Sequence, residues 1–309
     1  MRGFHDSQRG VAVLTAMLVV TLGTLIAVNM MWRASLDQRR ASAGLAADQG
    51  LAYLHGAEAW AGDILRQDMV DSPQSDHLGE IWALELPPLP VDGGVISGRM
   101  EDLHGRFNLN NLVTPQGEVD PLSLAQFQRL LATLGLDPGI AGVVVDWLDA
   151  DAEPNFPNGA EDDAYAAANP PYRTPNWPIT STSELSAMTG IEAEGYRALL
   201  PYVTALPSGT TLNVNTASAP VLASLSDDID LAQAATLVEQ RGAAEFVDIE
   251  TMFGNELEPD VLGRINGTSR YFQLTATVVL GTHQFTLYSV LERHQSGLVG
   301  AVFRSLGVQ

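Results

Sequence analysis

The sequence predicts an α+β fold in which a long N-terminal helix packs on an antiparallel sheet, with a large all-helical domain inserted into that sheet. Three observations carry this. An apolar run over residues 11–31 passes without a turn into a helical apolar stripe. Strand-like alternation occurs over 95–102 and again in two segments near the end of the chain, 271–280 and 284–293. Between those strand signals the apolar residues recur mostly with helical spacing.

A chain of 309 residues has room for more than one domain, and 46% hydrophobic residues against 17% charged ones place it among folded proteins. The formal net charge is -21, and every basic side chain is Arg. So acidic a body repels phosphate backbones, because nucleic-acid affinity rests on Lys and Arg displacing counterions. Cysteine is absent, which excludes a disulfide framework and a thiolate metal site but leaves the compartment open.

Residues 1–10 form a short polar leader that meets the apolar stretch at Gln8-Arg9-Gly10-Val11. The polar members of 11–31 are Thr15, Thr21, Thr24 and Asn29. At ~1.5 Å per residue a helix of this length covers ~30 Å, one hydrocarbon core. Trp32 and Arg33 follow as interface anchors. A secretory signal would have a shorter core and a small-x-small cleavage site just beyond it. Ala41-Ser42-Ala43 has that form but lies past Arg33, Asp37, Arg39 and Arg40. A plain uncleaved anchor reads from the same residues. Arg2 and Arg9 on one side face Arg33, Arg39 and Arg40 on the other, so charge does not orient the span. Ala47, Leu51, Leu54, Ala57 or Glu58, Ala61, Ile64 and Leu65 continue the helical spacing, and no proline intervenes before Pro73. One helix from about residue 11 to about residue 69 is expected, its second half burying that stripe on the body.

Pro87, Pro88 and Pro90 mark a non-helical link. A strand is expected over 95–102 and a second strand edge over 106–110. Leu122, Leu124, Phe127, Leu130, Leu131 and Leu134 give a helix one apolar face, closed by Gly135. Further helices are expected over 140–148, 183–188, 192–203, 219–225, 231–240, 249–253 and 259–265, with a strand-like 212–215 among them. The segments 271–280 and 284–293, joined by Gly281-Thr282-His283, form a hairpin, and 299–304 adds a third strand.

The stretch from Asp146 to Tyr165 gathers Asp146, Asp149, Asp151, Glu153, Glu161, Asp162 and Asp163, and no basic residue follows until Arg173. Two carboxylates ~4 Å apart repel by about 1 kcal/mol even at the dielectric of water. Hard oxygen donors crowded in an irregular loop point to calcium, and a solvated acidic loop has the same composition. An EF-hand beginning at Asp149 is excluded, since its sixth position is Pro154 and its twelfth Ala160. No Gly-x-Ser-x-Gly, His-Glu-x-x-His or Gly-x-x-x-x-Gly-Lys motif is present, and His5, His55, His77, His104, His283 and His294 lack ligand spacing. No catalytic residue is therefore assigned. Leu212-Asn213-Val214-Asn215-Thr216-Ala217-Ser218 is similar to the start of helix-hairpin-helix modules. Its surroundings are acidic apart from Arg241-Gly242, and Ser218 reads as a helix N-cap.

The leader ending in Gly10, followed by the apolar half of a long helix, resembles the type IV prepilins and type II secretion pseudopilins. The resemblance implies cleavage between Gly10 and Val11 by a prepilin peptidase, and N-methylation of Val11. Most pilins carry Glu at the fifth mature position; here it is Thr15. That loss is typical of the K-type minor pseudopilins (general secretion pathway protein K), whose pilin-like sheet is interrupted by a helical, SAM-like or helix-hairpin-helix-like domain. On this resemblance 1–10 is a prepilin leader and 11–31 the transmembrane half of the first helix. Residues 32–110 and 268–309 are the two parts of a pilin-like domain. Residues 111–267 are the insert, with an acidic calcium-binding loop at 146–184. Asp149-x-Asp151, Gly159-Ala160-Glu161-Asp162, Pro170-Pro171-Tyr172 and Ser183-Glu184-Leu185 resemble the calcium-binding segment of that family. They imply Asp149, Asp151, Glu161, Asp162 and Glu184 as ligands, with Asp163 and Asn176 as further candidates, and a structural role for the calcium.

The implied function is that of a non-enzymatic minor pseudopilin at the tip of the type II secretion pseudopilus, acting in assembly and export across the outer membrane. It would be a single-pass protein of the bacterial inner membrane with its body in the periplasm. The implied partners are the I- and J-type minor pseudopilins, with the H type, the inner-membrane assembly platform and secreted substrates as further candidates, and no nucleic acid. The alternative is a membrane-anchored helix-hairpin-helix protein that takes up or binds DNA.

Overall fold

A computed structural model of the chain describes residues 6–85, 87–155, 158–246 and 248–307, with side chains from Val11 onward. The first five residues of the leader lie outside the described residues. A single helix, α1 (Asp6–Asp71), accounts for the anchor and the amphipathic half together. It stops two residues before Pro73, whose ring disfavours helical backbone at the residue before it. Its second half buries Leu54, Ala61 and Leu65, spaced to fall on one face. These pack on Phe272, Leu274, Ala276 and Val278, alternate residues of one strand. At Gly50 the helix comes so near the sheet that a Cβ would lie 2.5 Å from the Phe285 ring. Glu58 then pins the helix to the sheet, accepting from Arg304 Nε and Nη2 at 2.8 Å each and from Ser289 Oγ at 2.7 Å.

The sheet has five antiparallel strands: β1 (Leu89–Val91), β2 (Gly94–Asp102), β7 (Tyr271–Leu280), β8 (His283–Arg293) and β9 (Val299–Leu306), in the order β1-β2-β7-β8-β9. The proline-rich link thus includes a short strand, and Pro90 sits on the sheet edge, where its missing N–H is harmless. His283 pairs with Leu280, so the hairpin turn is Gly281-Thr282 alone, with Gly281 at φ +57°. β2 precedes the insert and β7 follows it. They pair from Gly94↔Leu280 to Asp102↔Phe272, and Leu103 N donates to Tyr271 O at 3.0 Å. The chain therefore leaves the sheet and returns to it at adjacent points, which lets a large insert form without breaking the ladder.

The intervening region builds its own core on α2 (Pro121–Thr133) and α3 (Ile140–Leu148), with Phe127, Leu130, Leu131 and Val144 fully buried. Around them lie α4 (Asp162–Tyr165), α5 (Ala193–Leu199), α6 (Ala219–Ala223), α7 (Leu231–Arg241), α8 (Ile249–Phe253) and α9 (Pro259–Leu262). This region is not wholly helical. The strand expected at 106–110 shrinks to β3 (Phe107–Asn108), which pairs in parallel with β4 (Val203–Thr204) rather than joining the main sheet. A second parallel ladder joins β5 (Leu212–Asn213) to β6 (Ile265–Asn266), ending the helix expected over 259–265 early. The segment expected as a helix over 183–188 is a 3-10 turn, Thr182–Ala187.

Candidate functional site

Two features of this fold carry chemistry. The first is the anchor half of α1. Leu14, Leu18, Val20 and Leu25 are each more than 60% exposed, so this apolar cylinder projects outside the body with no cover from the rest of the chain. It is long and apolar enough to cross a membrane. Thr15 turns its hydroxyl back onto the helix, donating to Val11 O at 3.1 Å and Ala12 O at 3.0 Å. The position is thereby closed on itself and presents no charge. Gly10 and Val11 lie within α1.

The second feature is the acidic loop after α3. Asp149, Asp151 and Glu161 each bring a carboxylate oxygen within 4.8 Å of the others. Asp149 is 2% exposed and Glu161 5%. Burial pushes the Asp149 carboxyl up to about 7, and Asp151, Asp146 and Glu161 add to it against a hydrogen bond from Asn155. Burial also raises Glu161, opposed by the Thr174 hydroxyl and reinforced by Asp146, Asp151 and Asp162. Asp149 Oδ1, Glu161 Oε1 and Asn176 Oδ1 are buried acceptors that no donor among the described residues reaches. An unmet buried acceptor costs about 1–3 kcal/mol, and more when charged. A cluster of hard oxygens with lone pairs left over is the donor set that a calcium ion requires.

The remaining candidates are distributed around this cluster. Asn176 donates from Nδ2 to Asp151 O at 2.6 Å, and its φ of +47° folds the far arm of the loop back toward Asp151. Asp162 accepts from Thr174 N and Oγ1, each at 3.2 Å, and lies 3.7 Å from Arg173 Nε. Asp163 is exposed. Glu184 stands apart from the three clustered carboxylates. Its Oε1 accepts from Thr180 N at 2.8 Å and Ser181 N at 3.3 Å in a capping box, and its Oε2 accepts from Trp147 Nε1 at 3.1 Å. It fastens the loop's end to α3 rather than facing the cluster. Phe156 and Pro157 lie outside the described residues.

The sequence reading counted Asp146 among the acidic residues of the stretch but gave it no role. It is fully buried, and its carboxylate accepts from Asn155 N at 3.0 Å and Asn155 Nδ2 at 2.6 Å, bracing the loop's turn. A Cβ on Gly159 would fall 2.2 Å from Asp146 Oδ2, so only glycine passes here. The available signal was a lone carboxylate inside the otherwise apolar Ile140–Leu148.

The asparagine-rich motif at 212–218 serves the joint between the insert and the sheet. Asn213 Nδ2 donates to Asp76 O at 3.0 Å, Asp102 Oδ2 at 3.0 Å and Ser269 Oγ at 2.8 Å. Arg241, the basic residue expected to mark any nucleic-acid contact, is buried and donates to Val214 O and Ala217 O. Ser218 occupies the N-cap position of α6 but makes no side-chain cap.

The model of the family described as "Type II secretion system (T2SS), protein K" matches residues 105–208, and a second model of the same description matches residues 212–262. Type II secretion system protein K of Pseudomonas aeruginosa is 39% identical over 316 residues, covering 97% of this chain and 93% of that one. The Klebsiella pneumoniae protein of the same name is 32% identical over 322 residues, covering 98% of each chain. Among solved structures, a chain of the GspK-GspI-GspJ complex from the type 2 secretion system of enterotoxigenic Escherichia coli superposes with a TM-score of 0.78 at 24% identity. The match covers 87% of this chain and 100% of that one, and it establishes the shared α+β fold.

Proposed function

This chain belongs to the type II secretion system protein K family, whose members are minor pseudopilins, and from that premise we propose that it occupies the tip of the pseudopilus. The observation that carries the reading is the bare apolar half of α1 with Thr15 in it. In a helical filament each subunit's apolar helix packs among its neighbours. A carboxylate near the start of that helix needs a neighbour's terminal amine to be tolerated in an apolar bundle. A subunit with no neighbour above it has no amine to meet, and Thr15 asks for none. The bulk of the insert fits the same place, since a terminal position has open space that a shaft does not. Nothing in the fold favours the DNA-binding alternative, because Arg241 spends its hydrogen bonds inside the protein.

The GspK-GspI-GspJ complex motivates I- and J-type subunits as the neighbours that receive this helix. The leader would be removed between Gly10 and Val11 and the new amine methylated, leaving a single-pass inner-membrane protein with its body in the periplasm until it enters the filament. Mass spectrometry of the mature N-terminus tests the processing step. It should begin at methylated Val11, and an intact leader on the working protein would refute it.

Calcium belongs to the same reading. Asp149, Asp151 and Glu161 would hold the ion, with Asn176 beside them, and the ion would discharge a loop whose carboxylates otherwise repel. Its chemistry there is structural: it would draw the two arms of the loop together and fix them to α3. At a hundredfold excess over Kd such a ligand stabilises the folded state by about 2.7 kcal/mol. Chelator should therefore lower the melting temperature, and Glu161→Gln should reduce the loss. An equal melting temperature with and without chelator contradicts the calcium role.

A further inference from the structure

A second acidic group lies far from the loop, where the long helix ends. Asp68 is in the last turn of α1, Asp76 follows Pro73, and Glu80 precedes a short 3-10 turn (Ile81–Ala83). Each offers a carboxylate oxygen within 4.8 Å of the other two. Their exposures are 5%, 1% and 7%. Among the described residues one permanent cation bonds to them: Arg293 at the end of β8, whose Nη1 lies 2.7 Å from Asp68 Oδ2 and whose Nη2 lies 2.5 Å and 2.6 Å from the two oxygens of Asp76. His77 Nε2 is 3.8 Å from Glu80 Oε1 and is charged only when protonated, and Asp102 adds further negative potential at Asp76. With all three ionised, the carboxylates against one guanidinium amount to an excess of two negative charges in a nearly dry joint.

Glu80 shows where the deficit falls. Its Oε2 accepts from His77 N at 3.0 Å and Trp82 Nε1 at 2.7 Å. Its Oε1 is buried, belongs to a side chain more than nine-tenths buried, and receives no hydrogen bond among the described residues. We propose that Asp68, Asp76 and Glu80 form a second site for a hard divalent cation, which joins the end of α1 to the sheet. A charge of two cancels the excess that Arg293 leaves, and carboxylate oxygens are the ligands that calcium takes. Burial raises the Asp68 carboxyl to about 6 and the Asp76 carboxyl to about 7, which agrees with a group that Arg293 alone under-compensates. The joint also carries Asn213 of the insert and Ser269, where the chain returns to the sheet, so an ion here would tie all three parts of the molecule at one point. This site does not depend on the loop at 146–184.

The test is ion counting on the full chain in detergent, loaded with calcium and measured by native mass spectrometry. Glu80→Gln should carry one calcium fewer than the parent, with unchanged far-ultraviolet circular dichroism. Equal counts overturn the proposal and leave protonation as the way the cluster is discharged. Terbium gives a second reading if Glu80→Gln does not fold. Trp82 touches Glu80, so it should sensitise a lanthanide bound there. Trp82→Phe should remove part of the tryptophan-excited terbium emission without changing the number of ions bound, and undiminished emission overturns the site.

Discussion

His104 is a residue at which protonation and architecture meet. Its Nε2 lies 3.1 Å from Arg270 N, which can only donate, so Nε2 is the acceptor and Nδ1 carries the hydrogen given to Thr211 O at 2.9 Å. The ring stacks on Tyr271 with centroids 5.8 Å apart. Burial holds its pKa below the ordinary 6.5, opposed by Asp102. A lowered value in the folded state means that the neutral ring favours folding above 6.5, and that this stabilisation is lost as pH falls below 6.5 and the unfolded chain takes up the proton first. Asp68, Asp76 and Asp149, whose carboxyls burial raises, act with the opposite sign over the same range, so the His104 contribution is the difference between parent and variant: His104→Gln should remove a destabilising step from the melting temperature on acidification below 6.5. An identical step in His104→Gln would contradict the assignment. His104 could be seen in the sequence only as a histidine without ligand spacing, because its partners are 107 and 166 positions away. Glu184, which the family likeness names as a ligand, also completes the capping box Ser181-x-x-Glu184, a pattern legible in the sequence. The acidic stretch was legible by composition and the family likeness picked out Asp149, Asp151 and Glu161 within it, whereas the brace from Asp146 required the loop's path.

At the scale of elements, the contact between α1 and the sheet sets the geometry of the body. Gly50→Ala should cost about 1–3 kcal/mol, because its Cβ would meet the Phe285 ring at 2.5 Å. Gly56→Ala, on the same helix with nothing within 4 Å, should instead gain up to about 1 kcal/mol from helix propensity. Denaturant melts of the two variants check this, and equal shifts would mean that the helix does not press on the sheet as described. The long helix was legible because nothing interrupts it before Pro73, and the hairpin because alternation runs through ten residues and eleven residues of its two strands. The two-residue ladders were half legible: β3 and β5 fall inside the segments read as strand-like, 106–110 and 212–215, whereas their parallel partners β4 and β6 lie at the ends of stretches read as helices, because two residues show no period.

For the whole molecule, the pairing of β2 with β7 is what allows so large an insert on so small a sheet. The chain leaves and re-enters at neighbouring positions, and Asn213, Asp102, Ser269 and Asp76 close the gap with hydrogen bonds. The result is a body anchored by one exposed apolar helix and made broad on one side by an acidic, loop-bearing domain. On the proposed reading such a body would enter a bundle of like helices from below and leave no room for a subunit above it. The most direct measurement is the position and number of copies in the assembled filament, by electron microscopy of isolated pseudopili labelled on this chain. The account predicts one label at one end. Labels repeating along the shaft would contradict it.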